Sequence, residues 1–243
     1  MRLDKLLSNT GYGSRKEVRQ LLKKGMIRVN GAVVKDPAQH VDPEADAISL
    51  LGEEVFYREF IYLMMHKPPG VLSATEDNRD QTVVDLLGSE ERHFEPFPVG
   101  RLDKDTEGLL LLTNDGKLAH NLLSPKKEVP KTYYAKVAGV VTEEDAEAFA
   151  RGVILDDAYE TKPGILHILH SAEESEIELT ITEGKFHQVK RMFEAVGKKV
   201  VYLKRLTMGP LELDPDLELG EYRELTEEEL LQLKELDRSK QKG

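Results

Sequence analysis

The sequence predicts an α+β protein in two parts: a small N-terminal domain over residues 1–58 and a larger domain over 59–243, with an antiparallel or mixed sheet flanked by helices. Three observations carry this. Strand-like and helix-like segments mix along the chain without the regular alternation of a doubly wound fold. Neither a Gly-x-Gly-x-x-Gly nor a phosphate-loop sequence occurs. Charge is divided unevenly: against a net −11 for the whole chain, residues 1–35 hold nine Lys or Arg and two acids, giving +7 and leaving −18 for the rest. Distribution matters more than the sum in deciding what a chain attracts, so the head is the part suited to a polyanion. The stretch Glu212 to Gly243, with 11 acids and five bases, reads as solvated surface.

The elements follow in order. Leu3, Leu6 and Leu7 share a helical face, and Gly11 and Gly13 close that segment before Ser14, which with Glu17 three residues on forms a capping box. The helix behind it, about Arg15 to Lys24, is expected to bury Val18, Leu21 and Leu22 and to stop at Gly25. Met26 to Val34 reads as a hairpin turning at Asn30-Gly31, a pair that tolerates positive φ. A strand at Ile48–Leu51 follows, and periodicity then lapses until the buried-strand pattern Ile61–Met65, which His66-Lys-Pro-Pro-Gly ends. Thr82–Leu87 predicts a short capped helix, Leu109–Thr113 a buried strand, and Asn114-Asp-Gly a turn into a helix over 117–123. Strands are expected near 133–138, 165–169 and 176–182, and helices near 143–151, 187–196 and from Thr226 onward.

Composition excludes several chemistries. With no cysteine there are no disulfides, thiolate nucleophiles or cysteine-ligated zinc. His167 and His170, the one close histidine pair, lie three apart on a predicted strand and so on opposite faces, which makes a poor metal site. Arg2, Asp4 and Lys5 interrupt what a secretory signal would keep apolar, and no apolar run is long enough to span a bilayer, so a cytoplasmic chain is expected.

Motifs add a specific resemblance. Arg2-Leu-Asp-Lys-Leu-Leu, Ser14-Arg-Lys-Glu-Val and Ile27-Arg-Val-Asn-Gly resemble the small S-four RNA-binding domain, named after a ribosomal protein. Gly100-Arg-Leu-Asp-Lys-Asp-Thr-Glu-Gly-Leu-Leu-Leu-Leu resembles the catalytic motif of pseudouridine synthases of the RsuA and RluB type. Lys67-Pro-Pro-Gly, Lys131-Thr-Tyr and Glu183-Gly-Lys-Phe-His-Gln-Val-Lys-Arg-Met-Phe continue it in family order over nearly the whole chain. Taken singly, each residue has an ordinary structural explanation: Asp103 and Asp105 as loop carboxylates, Tyr133 as a core-edge ring, His187 as a hydrogen-bonded structural histidine, Lys190 and Arg191 as solvated helix bases. Four motifs in order outweigh that. Asp85 and Asp115 read as local structural residues.

The resemblance implies conversion of uridine to pseudouridine in ribosomal RNA. Lys190, where the large-subunit enzymes more often carry arginine, points to 16S RNA, alone or in an assembling small-subunit particle. A large-subunit 23S substrate and a non-catalytic RNA-binding assembly factor are the alternatives. The chain is expected to act as a monomer, away from membranes and without metal or cofactor, because the reaction breaks one glycosidic bond, turns the uracil and rejoins C5 to the ribose with no net oxidation. The resemblance makes Asp103 the essential carboxylate, attacking C1′, adding to C6 or abstracting the C2′ proton; all three routes stay open. Each needs an anion, and a cation beside a partly dry carboxylate keeps it one. Lys190 is the expected cation and Arg191 the alternative. Tyr133 is expected to stack on the flipped uracil, offsetting the few kcal/mol that unstacking costs, and Arg101 to meet the displaced backbone. Arg2, Lys5, Arg15, Lys16, Arg19 and Lys23 are the expected RNA contacts of the head.

Overall fold

A computed structural model of the chain describes residues 1–238. They form two compact units, the head (Met1–Ile61 together with Gly88–Pro96) and the larger unit (Tyr62–Leu87 and Phe97 onward). The expected boundary at residue 58 therefore moves to 61. A segment assigned by sequence to the larger domain also packs with the head, where the His93 ring lies 2.8 Å from the Ser8 carbonyl.

In the head, α1 (Leu3–Asn9) and α2 (Arg15–Lys23) pack beside a four-stranded antiparallel sheet. Its strands are β1 (Ile27–Val29), β2 (Ala32–Val33), β3 (Ile48–Leu50) and β4 (Glu53–Glu54). The capping box forms as its sequence dictates: the Ser14 amide donates to Glu17 Oε2 at 2.8 Å and the Glu17 amide to Ser14 Oγ at 3.4 Å. Asn30 and Gly31 take φ of 50° and 80° and close the hairpin. The core gathers Leu3, Leu6, Leu7, Val18, Leu22, Ile27 and Ile48, with Leu21 only half-buried against it. Strand β3 ends one residue early because Leu51 turns with φ 56°. A further short helix, α3 (Ser89–His93), belongs to this unit.

The larger unit is built on one mixed sheet. Its strands are β5 (Tyr62–Lys67), β6 (Phe97–Pro98), β7 (Glu107–Thr113), β8 (Lys131–Ala138), β9 (Ile165–His170), β10 (Glu174–Ile181), β11 (Lys199–Met208), β12 (Leu211–Glu212) and β13 (Tyr222–Glu224). The central order is β13-β5-β7-β11-β8-β10-β9, antiparallel throughout except for the parallel pair β7/β11. At that pair Gly108 faces Arg205: a Cβ built on Gly108 would lie 2.2 Å from the Arg205 carbonyl oxygen, so only glycine permits the approach. Helices α4 (Gly116–Leu123), α5 (Glu143–Arg151), α6 (Gln188–Ala195) and α7 (Glu227–Arg238) complete it. Among the described residues no helix is long and apolar enough to cross a membrane.

Three expectations change. Thr82–Leu87 shortens to a single 3-10 turn over Val84–Leu86, with Asp85 accepting from the Thr82 amide at 2.8 Å. Strand β11, long and central, has no counterpart among the strands expected from sequence. A bulge in β9 pairs His170 with Glu176 and His167 with Glu178, which puts both histidines on one face rather than two. Asp115 keeps its structural role and caps α4, accepting from the Leu118 amide at 3.0 Å.

Candidate active site

The loop from Gly100 to Thr106 joins β6 to β7 and is pinned from two sides. Lys67, the last residue of β5, is fully buried and donates to the carbonyls of Pro68 (2.9 Å), Lys104 (3.3 Å) and Thr106 (2.9 Å). The Gly70 amide also donates to the Lys104 carbonyl, at 2.7 Å. On the other flank the Ser73 hydroxyl donates to the Leu102 carbonyl at 2.9 Å and accepts from the Leu102 amide at 3.1 Å. This explains the rigid Lys-Pro-Pro-Gly sequence: it supplies donors beneath a loop whose own backbone groups have no ladder partner. Burial pulls the Lys67 ammonium down to about 8, against the opposing charges of Asp105 and Asp103.

Asp103 projects from that loop, three-quarters covered, toward α6. Lys190 Nζ lies 3.1 Å from Asp103 Oδ2 and 2.7 Å from Asp105 Oδ1. One ammonium thus bridges two carboxylates, and Asp105, read from sequence as a mere loop residue, is part of the cluster. Burial opposes the charge on Lys190, but hydrogen bonds to Asp105 and Asp103 outweigh it and raise its pKa, while the Lys190 hydrogen bond lowers that of Asp105. Arg191 points elsewhere, pairing with Asp156 and, at 2.8 Å, with Asp157. The alternative cation therefore makes no ion pair with Asp103 among the described residues. Adjacent positions on a helix face about 100° apart, so one of the two bases had to turn away.

What aims Lys190 is the turn before α6. His187 sits in the left-handed region with φ 49°, which begins the helix abruptly. Glu183 and Gln188 brace that turn: the Gln188 side-chain amide donates to Glu183 at 2.6 Å and the Lys185 backbone amide donates to Gln188 at 2.8 Å. The Tyr159 hydroxyl donates to the other Glu183 oxygen at 2.7 Å. His187 Nε2 stands 3.6 Å from Asp103 Oδ1, an ion pair only when the ring is protonated. Its ring stacks on Phe186 at 3.7 Å between centroids, leaving Phe186 72% exposed. Sequence gave His187 a structural reading and did not single out Phe186, although both lie inside the motif that supplied Lys190.

Tyr133 lies on β8 between two cavities and lines both. The first, about 70 Å³, is bounded by Asp103, Arg101, Tyr133, His187 and Leu203. The second, about 230 Å³, shares Arg101 and Tyr133 and extends over Lys131, Arg205, Lys162 and Lys185. Asp103, Lys190, Tyr133 and Arg101 thus come together, with an exposed Arg101 at the rim. Among the described residues no group of three His, Asp or Glu side chains is placed to hold a metal.

In the head the expected RNA contacts divide. Lys5, Arg15, Lys16 and Lys23 are exposed and make no ion pair among the described residues. Arg2 and Arg19 converge on Asp4, which is fully buried in α1, with Arg2 Nη2 at 2.9 Å and Arg19 Nη2 at 3.4 Å. The Arg2 hydrogen bond holds the Asp4 pKa below its ordinary value. A buried carboxylate stripped of its partners costs several kcal/mol, so these two bases do structural duty first.

Comparison with known proteins bears on this arrangement. Residues 61–195 match the family model described as RNA pseudouridylate synthase, and residues 1–46 the S4 domain. The chain is 61% identical to an uncharacterized RNA pseudouridine synthase of Bacillus subtilis, covering 97% of this chain and 99% of that one. It is 44% identical to the ribosomal small subunit pseudouridine synthase A of Vibrio cholerae (95% and 98% covered) and 40% identical to the ribosomal large subunit pseudouridine synthase B of Bacillus subtilis (97% and 96%). A crystal structure of a pseudouridylate synthase superposes with a TM-score of 0.67 at 36% identity, covering 96% of this chain and 99% of that one. The chain belongs to the RNA pseudouridylate synthase family and carries an S4 domain at its head.

Proposed function

We propose that this enzyme converts a uridine of small-subunit ribosomal RNA into pseudouridine, with Asp103 as the catalytic carboxylate, Lys190 as the cation paired with it and Tyr133 as the ring on which the flipped uracil stacks. The observation that carries this is the 3.1 Å pairing of Lys190 with Asp103 on the wall of a cavity that Tyr133 also lines. In the reaction the bond from C1′ to N1 breaks, the uracil rotates, C1′ bonds to C5, and the proton leaving C5 is balanced by one gained at N1. A fixed carboxylate serves the sugar or ring carbon, and a fixed ammonium stabilises that charge without reorganising.

The target base must leave its stack to reach Asp103. Arg101, exposed at the rim, meets the backbone as it swings out. Lys5, Arg15, Lys16 and Lys23 bind phosphates of the surrounding RNA through the head, and a single copy holds both functions, so the enzyme works as a monomer in the cytoplasm. Large-subunit RNA is the second reading, favoured by the 40% identity to a large-subunit enzyme. Pseudouridine mapping of 16S and 23S RNA from cells with and without the gene tests both. Loss of one 16S site supports the proposal, loss of a 23S site substitutes the second reading, and no loss in either removes both.

A further inference from the structure

The larger cavity holds charge that the isomerisation does not use. Lys131 and Tyr133 alternate on one face of β8, and Arg205 of β11 pairs in register opposite Tyr133, so both bases point to the same side of the sheet as the stacking ring. Lys131 is 9% exposed and Arg205 2%. Lys131 Nζ donates to the Val129 carbonyl at 3.0 Å and to no other group among the described residues. Arg205 Nε donates to the Leu109 carbonyl at 2.8 Å, while its Nη2 is buried with no hydrogen-bond partner among the described residues. Neither makes an ion pair among the described residues. Glu183, the carboxylate on the cavity wall, is already occupied by Tyr159, Gln188 and the Lys162 amide. Burial, with the Arg205 charge added, brings the Lys131 ammonium down to about 8.

Two buried like charges without an anion are costly, and proteins rarely keep them where nothing binds. The chemical complement of two such buried donors is an anion that accepts several charge-assisted hydrogen bonds at once, which describes a phosphate. The cavity opens beside Tyr133 and Arg101, where a strand threading past the flipped base must run.

We propose that this cavity is a phosphate subsite, taking a phosphodiester of the RNA strand that carries the target uridine, with Lys131 and Arg205 as its buried cations and Arg101 at its mouth. The inference rests on the isomerase reading but is tested apart from it. In the full chain labelled with ¹³C-lysine, the Lys131 ε-carbon signal is assigned by its loss in Lys131→Met. The protein is then titrated with uridine, uridine 3′-monophosphate, uridine 5′-monophosphate and inorganic phosphate.

One of the two monophosphates is expected to move the Lys131 signal and to bind on the order of tenfold tighter than uridine, the worth of one charge-assisted hydrogen bond. Lys131→Met should bring that nucleotide to the affinity of uridine, while Lys131→Arg should keep the preference. The remaining lysine signals report whether each variant is folded. Equal affinity for uridine and both monophosphates in the wild-type protein overturns the subsite, as does a preference that survives Lys131→Met. Inorganic phosphate binding at Lys131 as tightly as the nucleotide makes it a free-anion site and overturns the assignment to the RNA strand. Tritium release from C5-tritiated 16S and 23S RNA, measured on the same preparation, separates the two ideas. Turnover with a silent Lys131 signal sinks the subsite and spares the isomerase reading, whereas a monophosphate preference without turnover on either RNA keeps the subsite and sinks the isomerase.

Discussion

Two buried lysines of the larger unit have opposite surroundings. Lys67, beneath the Asp103 loop, is wrapped by three backbone carbonyls and faces the charges of Asp103, Asp105 and Glu107. Lys131, at the start of β8, has one carbonyl and the like charge of Arg205. Both ammonium groups are drawn down to about 8, yet in different company. The first cation is fully employed in holding a loop; the second faces no acidic partner among the described residues. A shifted titration alone does not tell a structural lysine from a binding one, and the identity of its partners does.

The largest expected effect lies where Lys190 meets Asp103, the proposed catalytic carboxylate. Lys190→Met should lower single-turnover pseudouridine formation by roughly 10²–10³-fold, the usual loss when one preorganised charge is removed from a reacting centre. Arg191→Met, which frees Asp156 and Asp157 instead, should cost under about tenfold. The reverse ranking would transfer the role to Arg191.

Stability separates the two buried lysines next. Lys67→Met removes the donor from the Pro68 and Thr106 carbonyls, the Lys104 carbonyl keeping the Gly70 amide, and should destabilise the larger unit by about 3 kcal/mol. Lys131→Met removes an unneutralised buried charge and should be neutral or stabilising by about 1 kcal/mol near pH 7. The pH dependence has a definite sign. Between about 8 and the ordinary 10.5 the unfolded chain binds the Lys131 proton and the folded chain does not, so wild-type stability gains relative to Lys131→Met as pH rises through that window. Denaturant midpoints of both variants at about pH 7 and pH 9.5 check this; a Lys131→Met destabilised as much as Lys67→Met at about pH 7 would make the two lysines alike.

The smallest effect concerns the head. Arg15→Ala, Lys16→Ala and Lys23→Ala together should weaken RNA binding and flatten its dependence on salt by roughly one unit for each phosphate no longer neutralised, leaving the melting temperature in place. Arg2→Ala should do the opposite, lowering stability first because Asp4 loses its nearest partner.

Local chemistry made most of the head legible in sequence. The capping box, the Asn30-Gly31 turn and the leucine spacing each act within a few residues, and the structure follows them closely. The larger unit was readable where runs are apolar, as in β7, and not where function intrudes on a core strand. Lys204 and Arg205 interrupt the apolar pattern of β11, which hides the strand that organises the sheet. The position of Gly108 has no visible reason until Arg205 arrives against it. In the site, the motif indicates Asp103, Tyr133 and a base at 190 or 191, but choosing between adjacent bases needs the helix start set by His187. The roles of Asp105 and of the Lys131–Arg205 pair are invisible for a shared reason: contacts between distant segments leave no periodic trace.

Lys190, Tyr133 and the phosphate subsite all take their meaning from the proposal that Asp103 is the carboxylate that does the chemistry. Asp103→Asn preserves shape and removes the anion, so it separates catalysis from folding and binding. Single-turnover assays on 16S RNA with the purified variant, alongside a filter-binding titration, measure it directly. No detectable pseudouridine with RNA affinity within about threefold of wild type is the expected result, and substantial pseudouridine from a sequence-verified Asp103→Asn protein would remove Asp103 from the chemistry.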